Sequence, residues 1–242
     1  MNRVLFEKNE INADGTVRLA GARAKHVLEV LHGKEGQKIH VGMINGSAGD
    51  GTIVEVGKSH VLLSCSLGGQ IPEAPRVDLL LALPRPKVMK RLWAQLAAIG
   101  LRRILITNAA KVERNYFDTQ WLEKEYYEPL LVEGLMQSAD TLMPEVRICR
   151  RFKVFVEDEL ESFFPAKYRF VFHPDGESAL PALQHVKGER VLVAVGPEGG
   201  WTDFELDLLE SHGFSSVSMG QRILRSDTAC IAALALVHGV LS

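Results

Sequence analysis

The sequence predicts an α/β domain built on a parallel sheet, preceded by a small β-rich unit. Three observations carry this. From Arg76 onward, apolar strand-like runs alternate with helical patterns, which implies parallel strands joined by crossover helices. Before that point, short β-branched runs alternate with turn signals around one helical stretch, the pattern of a small barrel. Between the two parts, Pro72-Glu-Ala-Pro75 interrupts any regular element.

Each element follows from local pattern. In the first part the strand readings are 15–19, 37–41, 51–56 and 60–66. Turn signals at Asn12-Ala-Asp-Gly15, Asn45-Gly-Ser47 and Gly49-Asp-Gly51 separate them. A helix is predicted over 22–31, with Ala24, Val27, Leu28 and Leu31 on one face. In the second part, Val77-Asp-Leu-Leu-Leu-Ala-Leu83 reads as a buried strand and 88–99 as an amphipathic helix stopped by Gly100. Strands follow at 103–107, 168–172, 191–195 and 215–219, with a long helical stretch at 119–139. Thr202-Asp-Phe-Glu205 has the form of a capping box and opens a helix over 202–211. Residues 227–241 form an apolar helix. The linker divides the chain into residues 1–72 and 73–242.

Composition bounds the function classes. The chain has 242 residues, 46% hydrophobic and 24% charged, which suits a globular protein of one large or two smaller domains. No apolar run reaches the ~18 residues of a membrane span, and Met1-Asn-Arg-Val-Leu-Phe-Glu-Lys8 lacks the apolar core of a signal peptide. A cytoplasmic protein with no membrane partner is expected, or one of an organelle matrix or stroma if a leader was removed. Cys65, Cys149 and Cys230 are scattered, with no Cys-x-x-Cys and no histidine cluster, so buried thiols are expected rather than disulfides or a metal site.

The net charge of −2 hides an uneven distribution. Arg85, Lys87, Lys90, Arg91, Arg102, Arg103, Lys111 and Arg114 face only one acidic residue in their segment, Glu113. Such a basic stripe suits a phosphate backbone, and equally a solvated helix face.

Three loops follow strands in the C-terminal half: His173-Pro-Asp-Gly176, Gly196-Pro-Glu-Gly-Gly-Trp201, and the segment from Gly220 to Ala229. In a parallel sheet they emerge at one edge, where ligands bind. Glycines at a strand-to-helix turn let backbone approach a ligand, although a glycine pair is by itself more often a tight turn. The phosphate-loop Gly-Lys-Ser/Thr and the dinucleotide Gly-x-Gly-x-x-Gly are both absent, so a neutral or zwitterionic nucleoside held by main chain fits better.

The pair Gly196-Pro-Glu-Gly-Gly200 and Met219-Gly-Gln-Arg-Ile-Leu-Arg-Ser-Asp-Thr-Ala229 resembles the small-subunit rRNA uridine-N3 methyltransferases, the RsmE-type branch of the SPOUT superfamily. The His173-Pro174 turn also fits. Ala82-Leu-Pro84 and Gln137-Ser138 match more weakly, and His26-Val-Leu-Glu-Val-Leu31 with Gly36 looks like the family's PUA-like β-barrel. The resemblance spans nearly the whole chain.

What it implies is an α/β fold of SPOUT type whose C-terminal chain makes a trefoil knot, preceded by a PUA-like RNA-binding barrel. S-adenosylmethionine is the implied cofactor and 16S rRNA of the small ribosomal subunit the implied substrate, with homodimerisation typical. Cofactor contacts carry over to Phe172, His173 and Pro174, to Val195, Gly196, Pro197, Glu198, Gly199 and Gly200, and to Met219, Gly220, Ile223, Leu224 and Thr228. Arg222 and Arg225 are the catalytic candidates, as donors to a developing uracil anion, with salt bridges to Asp203, Glu205 or Asp227 the structural alternative. His173 and Glu198 are read as shaping their loops. RNA contacts are expected at Arg23, Lys25 and His26, and at Arg85, Lys87, Lys90 and Arg114.

The chain departs from the family pattern in places. Ser226-Asp-Thr-Ala229 replaces Thr-Glu-Thr-Ala, keeping a hydroxyl and a carboxylate. Arg85-Pro-Lys-Val-Met-Lys90 replaces Lys-Gly-Asp-Lys-Met-Glu, Ala98-Ile-Gly100 replaces Glu-Leu-Gly, and Leu135-Met-Gln-Ser-Ala139 lacks the family's arginine. Two other readings stay open here: a SPOUT methyltransferase for another rRNA or tRNA site, ribose 2′-hydroxyls included, and a non-catalytic RNA-binding assembly factor.

Overall fold

The structure is a computed structural model that describes residues 3–186 and 188–241. Met1 and Asn2 of the N-terminal segment read above lie outside the described residues. The chain divides into two units, one of Met1–Ala74 with Val132–Met143 and one of Pro75–Leu131 with Pro144–Ser242.

The first unit is a five-stranded sheet in the order β1-β3-β4-β5-β2. Its strands are β1 (Val4–Phe6), β2 (Thr16–Ala20), β3 (Lys38–Met43), β4 (Ala48–Val56) and β5 (His60–Leu67). β1 pairs parallel with β3, whereas the remaining pairs are antiparallel. Three residues are too few to show alternation, which is why β1 escapes a reading by pattern. The helix expected over 22–31 begins one residue earlier as α1 (Gly21–Lys25) and continues as a wider π turn over His26–Val30. It ends where Gly33 approaches its neighbours so closely that a Cβ there would lie 2.8 Å from both Val27 and Ile53.

Residues 132–143 belong to this unit, which no linker signal announced. The amide of Asn45, itself in the left-handed region at φ 56°, donates to the Thr141 carbonyl at 2.8 Å. The buried Thr141 hydroxyl donates to the Gly46 carbonyl at 2.6 Å, and the Asn45 side chain accepts from the Met143 amide.

The second unit holds a six-stranded sheet, β11-β9-β10-β6-β7-β8, and every neighbouring pair in it is parallel. It opens with β6 (Val77–Ala82), buried throughout, and α2 (Pro86–Ile99). Pro86 starts α2 where a missing N–H costs nothing, Met89, Leu92, Trp93 and Leu96 turn inward, and Gly100 ends it at φ 87°. β7 (Arg103–Thr107) follows. The 119–139 stretch begins as a 3₁₀ turn at Gln120–Leu122 and becomes α3 (Lys124–Ser138). β8 (Glu145–Cys149), α4 (Phe152–Asp158) and α5 (Leu160–Phe163) were not predicted. β8 is an edge strand carrying Glu145 and Arg147 and shows no apolar run.

β9 spans Tyr168–Ser178, so His173-Pro-Asp-Gly176 lies within a strand rather than in the loop expected after residue 172. Its partner explains this: Val171 pairs with Ser216, and the next pair is Glu177 with Val217. Phe172 still pairs with Val195 of the strand over 191–195, residues 173–176 swing out, and the strand then rejoins its neighbour. A Cβ on Gly176 would sit 2.6 Å from the Val217 nitrogen, so this crossing needs glycine. α6 (Ala179–Leu183), β10 (Val191–Val195), α7 (Asp203–Ser211), β11 (Phe214–Ser218) and α8 (Ser226–Leu241) complete the unit. α8 buries Cys230, Ala233, Leu234 and Val237, the i, i+3, i+4, i+7 stripe of a core helix. Among the described residues no helix is long and apolar enough to cross a membrane, and no acidic, histidine or cysteine group is arranged to hold a metal. Of the three free cysteines only Cys230 is buried; Cys65 and Cys149 are partly exposed, because they lie on strands with one open face.

At the amino end of the parallel sheet, Asp78 is fully buried with Arg190 3.8 Å away. Burial pushes its carboxyl up to about 6, against the pull of Arg190 and Arg103. The folded state therefore binds this proton more tightly than the unfolded chain, and the stability Asp78 contributes is present at low pH and lost as pH rises through about 6. An Asp78→Asn variant is expected to gain stability relative to the parent between pH 4.5 and 7, by on the order of 2 kcal/mol. Urea unfolding at the two pH values measures it; an unchanged difference would show that the carboxyl titrates normally.

Candidate active site

Because the strands are parallel, the segments after β6, β7, β10 and β11, with the excursion in β9, meet at one sheet edge. They surround a cavity of about 410 Å³, within the range of small-molecule sites. Phe172, His173 and Pro174 line it, as do Val195, Gly196, Pro197, Glu198, Gly199 and Gly200, and Met219, Gly220, Ile223 and Leu224. Thirteen of the fourteen expected cofactor contacts are thus brought together. The fourteenth, Thr228, is exposed and does not line the cavity, because α8 turns it outward.

The glycine loop is held from several sides. The Gly200 amide donates to the Pro197 carbonyl at 2.8 Å, closing a turn that needs φ 70° at Gly200. Glu198 accepts from the Arg85 amide at 3.0 Å, which places its carboxylate at the start of α2, where the helix end favours negative charge. Its loop-shaping role therefore runs to a neighbouring loop rather than within its own. Lys111 Nζ donates to the Gly199 and Trp201 carbonyls at 2.9 and 3.3 Å. Glu205, 4% exposed, completes the capping box with Thr202 and also accepts from the Ala110 amide at 2.7 Å. Two loops are thereby locked to α7 by one buried carboxylate.

The other walls are tied as closely. Ser218 Oγ donates to the Pro174 carbonyl at 2.9 Å and accepts from the Gly220 amide at 3.2 Å. Gly220 sits at φ 116°, open only to glycine. His173 Nδ1 accepts from the Asp175 amide at 3.3 Å, which ties the ring to its own turn.

Trp201 forms the floor. It is 3% exposed and stacks on Phe152, ring centroids 5.2 Å apart. Gly196 leaves room for it, since a Cβ there would lie 3.1 Å from the indole. Two buried polar atoms of the lining, Trp201 Nε1 and Ser226 Oγ, have no hydrogen-bond partner in the structure. Buried donors of this kind call for an acceptor. With apolar walls at Phe172, Val195 and Leu224 and main-chain groups from three segments, the cavity fits a nucleoside-like ligand such as S-adenosylmethionine.

Arg222 lines the cavity, whereas the Arg225 side chain is not among its walls. Both are exposed. The salt bridges considered for them have other owners: Asp227 meets Arg91 at 3.4 Å and Glu205 holds α7. Lys111, Asp175, Trp201, Ser218, Ser226 and Ala229 line the cavity without having been predicted. Asp175, Trp201, Ser226 and Ala229 stood inside quoted motifs. Lys111 stood in the basic stripe, and only the fold brings it to Gly199.

The expected RNA contacts fare unevenly. Arg85, Lys87, Lys90 and Arg114 are exposed, with Lys90 Nζ 4.4 Å above the Trp121 ring. Arg102 and Arg103 sit at the other end of the parallel sheet, where Arg103 pairs with Glu145 at 3.0 Å, so the stripe is not one surface. In the first unit, Arg23 is held by Glu10 and by the Leu5 carbonyl, and Lys25 lies 3.7 Å from Glu29. His26 Nε2 is buried, and burial lowers the ring's pKa, which disfavours its charged form.

Residues 72–238 match the RNA methyltransferase domain family. The chain is 27% identical over 241 residues to the ribosomal RNA small subunit methyltransferase E of Treponema pallidum, covering 98% of this chain and 90% of that one. A methyltransferase of Legionella pneumophila, solved with its cofactor SAM bound, superposes with a TM-score of 0.81 at 22% identity, over 98% and 97% of the two chains. The ribosomal RNA small subunit methyltransferase E of Neisseria gonorrhoeae, bound to S-adenosyl methionine, gives 0.79 at 20% identity, over 99% and 98%. The two structural likenesses speak to the fold. With the family match over most of its length, the chain belongs to the RNA methyltransferase domain family and is a member of its small-subunit, E-type branch.

Proposed function

We infer that this protein transfers a methyl group from S-adenosylmethionine to N3 of a uridine in the 16S rRNA of the small ribosomal subunit. The observation that carries the reading is the cavity formed where the Gly196–Gly200 turn, the segment 172–174 and the 219–224 loop converge, in a member of an RNA methyltransferase family. The relatives' names support the substrate, and the SAM-bound structural neighbours support the cofactor. Bound there, S-adenosylmethionine supplies an electrophilic methyl on a sulfonium. The chain's residues do the rest. Gly196, Gly199 and Gly220 let main chain close around the ligand, Trp201 and Phe172 shield it, and Arg222 stabilises the negative charge that uracil gains as N3 releases its proton to solvent.

The finer architecture follows the same reading. The first unit is a PUA-like barrel that binds RNA, the second a SPOUT domain with a C-terminal knot, and the working form is a homodimer. Exposed Ala235 and Gly239 in the largely apolar C-terminal part of α8 suit close approach of a second copy. Arg85, Lys87, Lys90 and Arg114 hold RNA phosphates, so affinity falls steeply with salt.

Two measurements test this. Calorimetric titration is expected to show S-adenosylmethionine binding to the isolated protein. Mass-spectrometric mapping of 16S rRNA from a deletion strain is expected to lack one methylated uridine, restored by the intact gene. Cofactor binding with an unchanged rRNA map and a missing tRNA methyl group would move the substrate to tRNA. No cofactor binding would leave an RNA-binding scaffold.

A further inference from the structure

A second cavity, of about 330 Å³, lies on the far side of the same loops. Lys111 and Trp201 line the first cavity; their chain neighbours Ala110, Val112 and Thr202 line the second. The Phe152–Trp201 stack is the partition, with Phe152 in the second lining and Trp201 in the first. Anything bound in one is therefore a single wall away from anything bound in the other.

The second cavity has the chemistry of a nucleotide site. Phe204 lines it and is 57% exposed, a large aromatic ring left to solvent with no ring partner among the described residues. Arg114 lines it, exposed and in no ion pair among the described residues. Lys153 lines it as well and, among the described residues, is held by one solvent-exposed i,i+4 pair with Glu157, of a weak kind readily exchanged for phosphate. Asn108 adds its side-chain Oδ1, which is buried and has no hydrogen-bond partner in the structure. An aromatic platform, two cations and an unsatisfied amide are the groups that stack, neutralise and read an unpaired base. The α7 N-terminus is not itself the attraction, because Thr202 and Glu205 already cap it.

We propose that this cavity holds an unpaired RNA nucleotide neighbouring the target uridine, its base stacked on Phe204 and edge-read by Asn108, its phosphate on Arg114 and Lys153. The proposal rests on the RNA-methylating reading above. It adds that the sequence context of the methylated base is read by the catalytic unit itself.

The test uses the full-length protein and short single-stranded RNA oligonucleotides of the mapped target sequence, with 2-aminopurine at each position flanking the uridine. One flanking position is expected to be quenched on binding. Phe204→Ala is expected to remove that quenching and weaken RNA binding roughly 5- to 100-fold. Phe204→Tyr is expected to restore both, and S-adenosylmethionine affinity stays the same in all three proteins. Asn108→Ala is expected to flatten the preference for the base at that position. If the parent protein binds S-adenosylmethionine and methylates rRNA while Phe204→Ala leaves affinity and quenching unchanged, the nucleotide site is overturned and the enzyme reading stands. If Phe204→Ala changes only the sedimentation mass, the cavity is a contact between protein copies and the proposal is again overturned. Failure of the parent to bind S-adenosylmethionine would instead strike the enzyme reading.

Discussion

Replacing Arg222 with Ala is expected to slow methyl transfer about 100-fold, the typical cost of removing one donor to a developing anion. Arg222 lines the cavity and is exposed, and Asp227 and Glu205, two of the carboxylates considered for it, are engaged elsewhere. Cofactor affinity is expected to change less than threefold, because the same cavity is closed mainly by main-chain groups and apolar side chains. Single-turnover methylation of an rRNA transcript, alongside calorimetric titration of S-adenosylmethionine, separates the two effects. Arg225 presents a contrast. The same motif offers it, yet its side chain does not line the cavity, and its carbonyl accepts from the Ala229 amide at 2.7 Å. If Arg225→Ala abolishes transfer while Arg222→Ala keeps the parent rate, the two roles are reversed and the anion-stabilising role of Arg222 is lost.

Trp201→Ala is expected to cost about 3–5 kcal/mol of stability, the range for emptying a buried tryptophan site. The indole is 3% exposed, stacks on Phe152 and fills the space that Gly196 leaves open. Its loss removes the floor of the cofactor cavity and the partition behind it, so cofactor binding is expected to fall with stability. Trp201→Phe keeps an aromatic ring against Phe152 but removes Nε1–H together with the five-membered part of the indole. It is expected to retain most of the stability, and to lose cofactor affinity if that donor meets the ligand. Urea unfolding followed by circular dichroism measures the first effect; a loss below about 1 kcal/mol for the Ala variant would show that the neighbouring loops collapse into the space.

Local pattern reaches far in this chain where one residue type serves one physical need. The β6 and β10 runs are apolar because both sheet faces are covered, and they read as strands without ambiguity. The capping box at Thr202 and Glu205 is visible at its spacing, and the structure forms both of its bonds. Elements with divided duties are harder to read. β8 lies at a sheet edge and carries charge. β9 is broken by Pro174 and Gly176, yet re-pairs with β11 beyond them because Gly176 tolerates the close crossing.

The site shows the same division. Glycine-rich loops at strand ends and their paired motifs were legible, since close backbone approach admits few residue types. What Glu205, Glu198 and Lys111 do with their charges was not. Their partners, the Ala110 amide, the Arg85 amide and the Gly199 carbonyl, are brought near only by the sheet order. By itself the sequence determined the parallel α/β grammar, the strand-end loops and the shape of the cofactor cradle, because these depend on residues a few positions apart. Tertiary structure alone decided that residues 132–143 join the first unit, that Arg222 rather than Arg225 reaches the cavity, and that a second cavity backs onto the first. Those outcomes depend on hydrogen bonds and packing between segments about 90 to 110 residues apart, a separation over which chain geometry, not local propensity, sets which groups meet.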